Sequence, residues 1–155
     1  MWQNFWNLRV NDRLTQWKEF RQQLDRMPFE SAIHELNEMW STAPIVNHNL
    51  EPGELKNWPD PWQLLAENYW CDVAKALGII YTIYFTSHNN KAMEMRVYYD
   101  YKDKERYSLV WLDGGKYILN YRPYEIVNTK DIKKKEEDMK LLYRYSKEEL
   151  QLNKY

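Results

Sequence analysis

The sequence predicts an α+β fold: a buried central helix against an antiparallel sheet of about four strands, with an N-terminal helical hairpin and a peripheral C-terminal helix. Three observations carry that expectation. The stretch Asp60–Gly78 opens with Asp60 as N-cap, Pro61 at the first helical position and Gln63 where a capping box wants Glu or Gln, and it closes on Gly78. Within it Trp62, Leu65, Ala66, Tyr69, Trp70, Val73, Ala76 and Leu77 form an apolar face wider than a surface helix carries. Runs of β-formers separated by turn residues follow it.

The chain upstream reads as helical. Trp2, Phe5, Trp6, Leu8 and Val10 have no clean period, so residues 1–11 are either a docking arm or a segment lying on the core. Leu14, Trp17, Phe20, Leu24 and Met27 predict a helix over 12–27. Pro28 divides it from a second helix, with a stripe of Ile33, Leu36, Met39 and Trp40, which ends by Pro44. Proline, glycine and asparagine keep the following connection, 44–59, irregular. His48 in that loop reads as a ligand or base, or as an exposed polar turn.

Downstream, Ile79–Thr86 reads as the first strand, His88-Asn89-Asn90 as a turn, and Met93–Tyr99 as the second strand. Asp103-Lys104-Glu105 turns the chain into Arg106–Leu112, and Asp113-Gly114-Gly115-Lys116 is a hairpin signal leading to Tyr117–Tyr121, with Tyr124–Val127 as an extension. Ile132, Met139 and Leu142 give the charged end a thin apolar stripe, which predicts a peripheral helix and then a short terminal helix capped by Ser146 with Glu149. The organisation expected is one domain over 1–155, comprising a helical part (1–43), a connecting loop (44–59), the central helix with its sheet (60–128) and charged C-terminal helices (129–155).

Composition bounds the function. Lys and Arg number 22 against 23 Asp and Glu, and a net charge of −1 argues against a dedicated nucleic-acid binder, whose affinity comes from phosphate neutralisation. The single cysteine excludes an internal disulfide and a multi-cysteine zinc site, and it suits an intracellular setting. Gln3, Asn4, Asn7, Arg9 and Asp12 stand where a secretion signal would be apolar, and no run is long enough to span a membrane. Eight Trp and thirteen Tyr are the kind of residue favoured at protein interfaces, with Trp2, Trp6 and Trp58 as candidate partner contacts.

The chemistry sought is mostly missing. The four glycines are too scattered for a phosphate cradle, and the three histidines fall in different elements, so no metal site and no cofactor is expected. One constellation is open: Cys71 as nucleophile with His88 or His48 as base, which would make a cysteine-dependent hydrolase or acyl-transferase. A reactive thiol sits near a helix N-terminus or a cation. Inside an Asp60–Gly78 helix, between Trp70 and Asp72, Cys71 has neither, and a buried structural cysteine is the competing reading.

A helix ending in Lys75-Ala76-Leu77-Gly78-Ile79, a strand, Tyr107-Ser108-Leu109-Val110-Trp111-Leu112, a glycine turn and Lys116-Tyr117-Ile118-Leu119-Asn120 resembles the transglutaminase-like core over about residues 60–122. In that family a cysteine starts the central helix, a histidine opens a later strand, and an aspartate lies across the hairpin. The resemblance places Gln63, Tyr107 and Asn120 at those positions, so it implies the fold without the catalytic set, with the three residues left as a polar network. The aromatic build around Trp58-Pro59-Asp60-Pro61-Trp62 also resembles small structural proteins of tailed bacteriophages. The function expected is a non-catalytic structural or adaptor component in contact with other protein subunits, in a virion tail, baseplate or neck, made in the host cytoplasm. Single-stranded nucleic-acid binding on exposed aromatics is the third alternative, against the balanced charge.

Overall fold

The computed structural model describes residues 2–47, 50–68 and 70–155. Helices α1 (Trp2–Phe5), α2 (Val10–Asp25) and α3 (Phe29–Ser41) come first. After the connection come α4 (Pro61–Ala66) and α5 (Asp72–Tyr84), then strands β1 (Met93–Asp100), β2 (Glu105–Leu112) and β3 (Tyr117–Leu119). A short α6 (Thr129–Lys133) precedes β4 (Met139–Ser146). The α+β class, the helical hairpin α2–α3, the buried helix and the four-stranded antiparallel sheet all stand as the sequence predicts.

The central helix is where the reading and the structure part. Asp60, Pro61 and Gln63 do form the predicted capping box, but they start only the six-residue α4. The chain then leaves helical geometry at Glu67, whose backbone is extended, and restarts with Cys71 as the N-cap of α5. Three contacts from elsewhere hold that break. Arg13, on α2, donates from its two terminal nitrogens to the carbonyls of Leu65 (2.9 Å), Glu67 (2.6 Å), Trp6 (3.0 Å) and Leu8 (3.0 Å). The Trp70 indole donates to the Leu64 carbonyl at 2.9 Å. The Trp70 backbone pairs with the 44–46 segment, donating to Pro44 O (3.0 Å) and accepting from Val46 N–H (3.1 Å). Carbonyls that a continuous helix would have bonded internally are taken by partners far along the chain.

Gly78 does not end a helix. It lies inside α5, where a Cβ would fall 2.2 Å from Cη2 of Trp40. The glycine lets α5 approach α3, and Thr82 one turn later seals the contact. Its hydroxyl accepts from the indoles of Trp17 (3.0 Å) and Trp40 (3.1 Å) and donates to the Gly78 carbonyl (2.7 Å). Residues Ile79–Tyr84, read as a strand, therefore continue this helix. Ile79, Ile80 and Ile83 are almost wholly buried, and burial on every side outweighs a β propensity of about 1 kcal/mol at most.

The sheet runs in the order β3-β2-β1-β4. Strands β1 and β2 pair from Met93 opposite Leu112 to Asp100 opposite Glu105, and the turn into β3 places Asp113, Gly114 and Gly115 at positive φ. Met93, Met95, Val97, Val110, Leu112 and Leu119 face the helices and join the main core. On the opposite face Tyr98, Leu109, Trp111 and Ile118 form a second core beneath Tyr121, Ile132 and Met139. The C-terminal region departs from the expected helices. Asn128 and Asp131 cap only the five-residue α6, and Met139–Ser146 joins β1 as an edge strand. The Tyr101 N–H donates to the Asp138 carbonyl at 2.7 Å where the chain turns into the sheet. Ser146 and Glu149 do bond reciprocally, but across a turn.

Two expected outcomes follow from this packing. Gly78→Ala gains about 1 kcal/mol of helix propensity, yet forces a methyl into the Trp40 ring. Overpacking costs roughly 1–3 kcal/mol or more, so urea denaturation should show a net loss, and a stabilised variant would mean that α3 and α5 are further apart than described. Arg13→Met strips four carbonyls of their donor. It should cost at least about 3 kcal/mol in the same measurement.

Candidate functional site

The break between α4 and α5 puts a helix start against the open end of the sheet. Asp72, the first residue of α5, points its carboxylate at β2 and at the residue that follows β3. The Ser108 N–H donates to Asp72 Oδ2. The Asn120 side-chain amide is shared among Asp72 Oδ1 (3.2 Å), the Asp72 carbonyl (3.1 Å) and the Ser108 carbonyl (2.9 Å). Asn120 has φ of 72°, the left-handed region that asparagine tolerates better than most residues, and that turn aims its amide at the helix. One helix and two strands are joined through a single carboxylate.

Burial pushes the Asp72 carboxyl up to about 6, against the opposing pull of Ser108, Lys75 and Arg106. The Ser108 hydroxyl favours the charged form of Asp72, yet its oxygen makes no hydrogen bond of its own. Lys75, one helical turn on, is itself buried, and that burial lowers its pKa while Asp72 opposes the shift. Above them lies a cleft of about 480 Å³. Asp72, Lys75 and Asn120 form its floor. Asn37, Trp40 and Ser41 of α3 line it with Ile45, Val46 and Asn47, as do Lys104, Glu105, Arg106, Tyr107, Tyr121 and Arg122 from the sheet and its turns.

The sequence-derived candidates are distributed unevenly around this cleft. Tyr107 and Asn120 both line it, but Gln63 does not join them. Gln63 is the N3 residue of the α4 capping box, 3.2 Å from the Asp60 N–H that it accepts. The Tyr107 hydroxyl turns to Asp103 (3.0 Å) and Glu105 (3.1 Å), and burial, followed by those two bonds, raises its pKa. The Gln63–Tyr107–Asn120 network is thus replaced by Asp72, Ser108 and Asn120. Cys71 is not within a helix but is the N-cap of α5, so the helix start falls on the cysteine and not on Gln63, where the resemblance placed it. Its sulfur is 2% exposed, accepts from the Leu50 N–H at 3.4 Å, and does not line the cleft.

His88 sits beyond the far end of α5, its Nε2 3.0 Å from the Leu24 carbonyl. The thirteen residues of α5 put it roughly 20 Å from Cys71 at 1.5 Å per residue, so this pair does not meet. His48 lies outside the described residues. Trp6, a candidate partner contact, is buried, with its indole donating to Thr42 Oγ1 at 2.8 Å and its ring against Trp40 and Trp70. Trp2 packs edge-on against Phe5 and Phe20, and Trp58 against Tyr145. Among the described residues no group of three or more His, Cys, Asp or Glu side chains stands close enough to hold a metal ion.

With this geometry in place the fold is transglutaminase-like. The sequence matches no protein-family profile, and no curated protein matches it. Solved structures do. The chain superposes on calcium-bound LapG of Legionella pneumophila with a TM-score of 0.70 at 12% identity, covering 91% of this chain and 78% of that one. Two further structures of LapG, one of them EGTA-treated, give 0.68 at 11% identity, each over 93% of this chain and about four-fifths of the other. At that identity the likeness is one of fold.

Asp72 and Ser108 escaped the sequence reading because both lay inside elements assigned a regular face. One signal was there to find. Glu67-Asn68 interrupts the apolar pattern, and an acidic residue soon after is what the first turn of a new helix favours. A carboxyl whose pKa is higher in the folded chain than in the unfolded one holds its proton more tightly when folded. Its burial cost is therefore absent at low pH, grows as pH rises from about 4 to about 6, and stays in full above that. Asp72→Asn should accordingly gain stability relative to the native chain by about 1–3 kcal/mol between pH 4.5 and 7.5 in paired urea melts. A pH-independent difference would show that the carboxylate titrates normally.

Proposed function

We propose that the protein is a non-catalytic module on a transglutaminase-like fold, an adaptor or structural component that acts by binding other protein subunits. One observation carries the reading. The side chain that faces both strands from the helix start is a carboxylate already bonded to Ser108 and Asn120, and neither β2 nor β3 contains a histidine. Acyl transfer in a three-residue site of this kind needs a nucleophile, a base and a group to orient the base. Asn120 is suited only to the orienting role, and Asp72 supports architecture in place of attack. The phage-particle setting adds a copy-rich assembly to this reading and rests on the resemblance of the aromatic segment around Trp58–Trp62 alone.

A second reading has one observation in its favour. Cys71 caps α5, and a helix N-terminus is where a thiolate is stabilised. A cysteine-dependent hydrolase would then need the thiol uncovered from beneath the Leu50 N–H and supplied with a base.

The two readings part on the reactivity of the chain's single thiol towards a small disulfide reagent. For the binding module, Cys71 in the folded protein should react at least about a hundredfold more slowly than in urea, because a buried structural cysteine is inert. Rapid, stoichiometric labelling of the folded chain would overturn that and return the cysteine to the candidate site.

A further inference from the structure

The two sides of the cleft differ in chemistry, and the difference specifies an occupant. One side presents Ile45, 63% exposed, with Val46 next to it among the polar Asn37, Ser41 and Asn47. The other side and the floor carry four cations, Lys75, Lys104, Arg106 and Arg122, against two carboxylates, Asp72 and Glu105. This excess belongs to a chain whose net charge is −1, so it is a local feature.

Both carboxylates are engaged within the protein: Asp72 by Ser108 and Asn120, Glu105 by the Tyr107 hydroxyl. Two of these cations, Lys104 and Arg122, are exposed and stand on ordered backbone. Lys104, at φ of 55°, sits in the β1–β2 turn, which Asp100 fixes by accepting from the N–H groups of Lys102 and Asp103 at 2.9 Å each. Arg122 lies over the ring of Tyr121, 5.0 Å from its centroid, and Tyr121 meets Tyr107 edge-on at 4.9 Å. An excess of cations with an exposed isoleucine across the cleft complements a chain whose acidic and apolar side chains point to opposite sides.

We infer that the cleft between α5 and the β2–β3 end of the sheet binds an acidic peptide segment of a partner protein, carboxylates towards Lys104 and Arg122 and apolar side chains towards Ile45. This rests on the binding-module reading of the same cleft and names its ligand. An extended segment with alternating side chains meets both sides at once, whereas a phosphate backbone would use the cations and leave Ile45 without a partner.

The test uses the full chain and a short fluorescein-labelled peptide alternating leucine and glutamate, followed by fluorescence anisotropy. The inference expects saturable binding that weakens at least about tenfold when glutamine replaces glutamate. A similar loss is expected for Lys104→Gln with Arg122→Gln, whose side chains are exposed and whose folding can be checked by thermal melting. Ile45→Ser should weaken binding severalfold, and Lys133→Gln on α6 should leave it unchanged. About half-molar salt should also weaken it, since the contacts are screened. No binding, equal binding of the glutamine peptide, or preferential capture of a thymidine oligonucleotide would each overturn the assignment. Mass spectrometry of the bound peptide separates the two proposals. Cleavage at the cleft would sink the non-catalytic reading and leave acidic recognition standing, while absence of both binding and cleavage would sink only the recognition.

Discussion

The structure depends on a guanidinium. Arg13 is 2% exposed and spends all four of its terminal N–H groups on backbone carbonyls, two from the end of α4 and two from the segment that joins α1 to α2. Removing a cation from water is costly, and the cost shows in the direction of its pKa, which burial lowers. Four charge-assisted bonds, with the Trp70 ring 5.8 Å away, offset that cost. They also dictate geometry. Carbonyls committed to Arg13 are unavailable to a continuing helix, so α4 stops and the chain is free to turn.

That turn builds the cleft. It moves a helix start from Asp60, on the outside of the molecule, to Cys71 and Asp72, against the sheet. A carboxylate in that position would be strongly disfavoured if it were merely buried. Two donors, one from β2 and one from the residue after β3, and a lysine on its own helix keep its pKa from rising beyond about 6. A polar tie of this kind is worth most where water is excluded, and here it fixes α5 relative to two strands.

The aromatic surplus resolves in a similar way. Trp6, Trp17, Trp40 and Trp70 are core residues, and three of them have their indole N–H satisfied by a threonine hydroxyl or a carbonyl. The fourth, Trp40, shares the Thr82 hydroxyl with Trp17. Large rings with one polar edge fill a core best where that edge meets an acceptor, which Thr82 and Thr42 supply here, whereas the indole N–H of Trp111 in the second core meets none. Trp6, a candidate partner contact by sequence, thus joins the interior, as Trp17, Trp40 and Trp70 do from the apolar faces on which the sequence placed them. The large side chains left exposed include Trp62, Tyr101 and Tyr124, beside Ile45 at the cleft.

The sequence by itself determined the class of the fold, the α2–α3 hairpin, the capping box at Asp60 and the β1–β2–β3 meander through its turn residues. These are local signals, set by caps, turns and alternation within a few residues. Tertiary structure alone decided the break at Glu67, the helical state of Ile79–Tyr84, the strand at Met139–Ser146 and the pairing of Asp72 with Ser108. Each of those depends on a partner distant in sequence: Arg13 lies 52 residues from Leu65, Trp40 presses on Gly78, β1 recruits β4, and Ser108 lies 36 residues from Asp72. A helix propensity or a strand pattern is worth a few tenths to about 1 kcal/mol per residue. A buried cation with four carbonyls, or an indole fitted against a glycine, outweighs it.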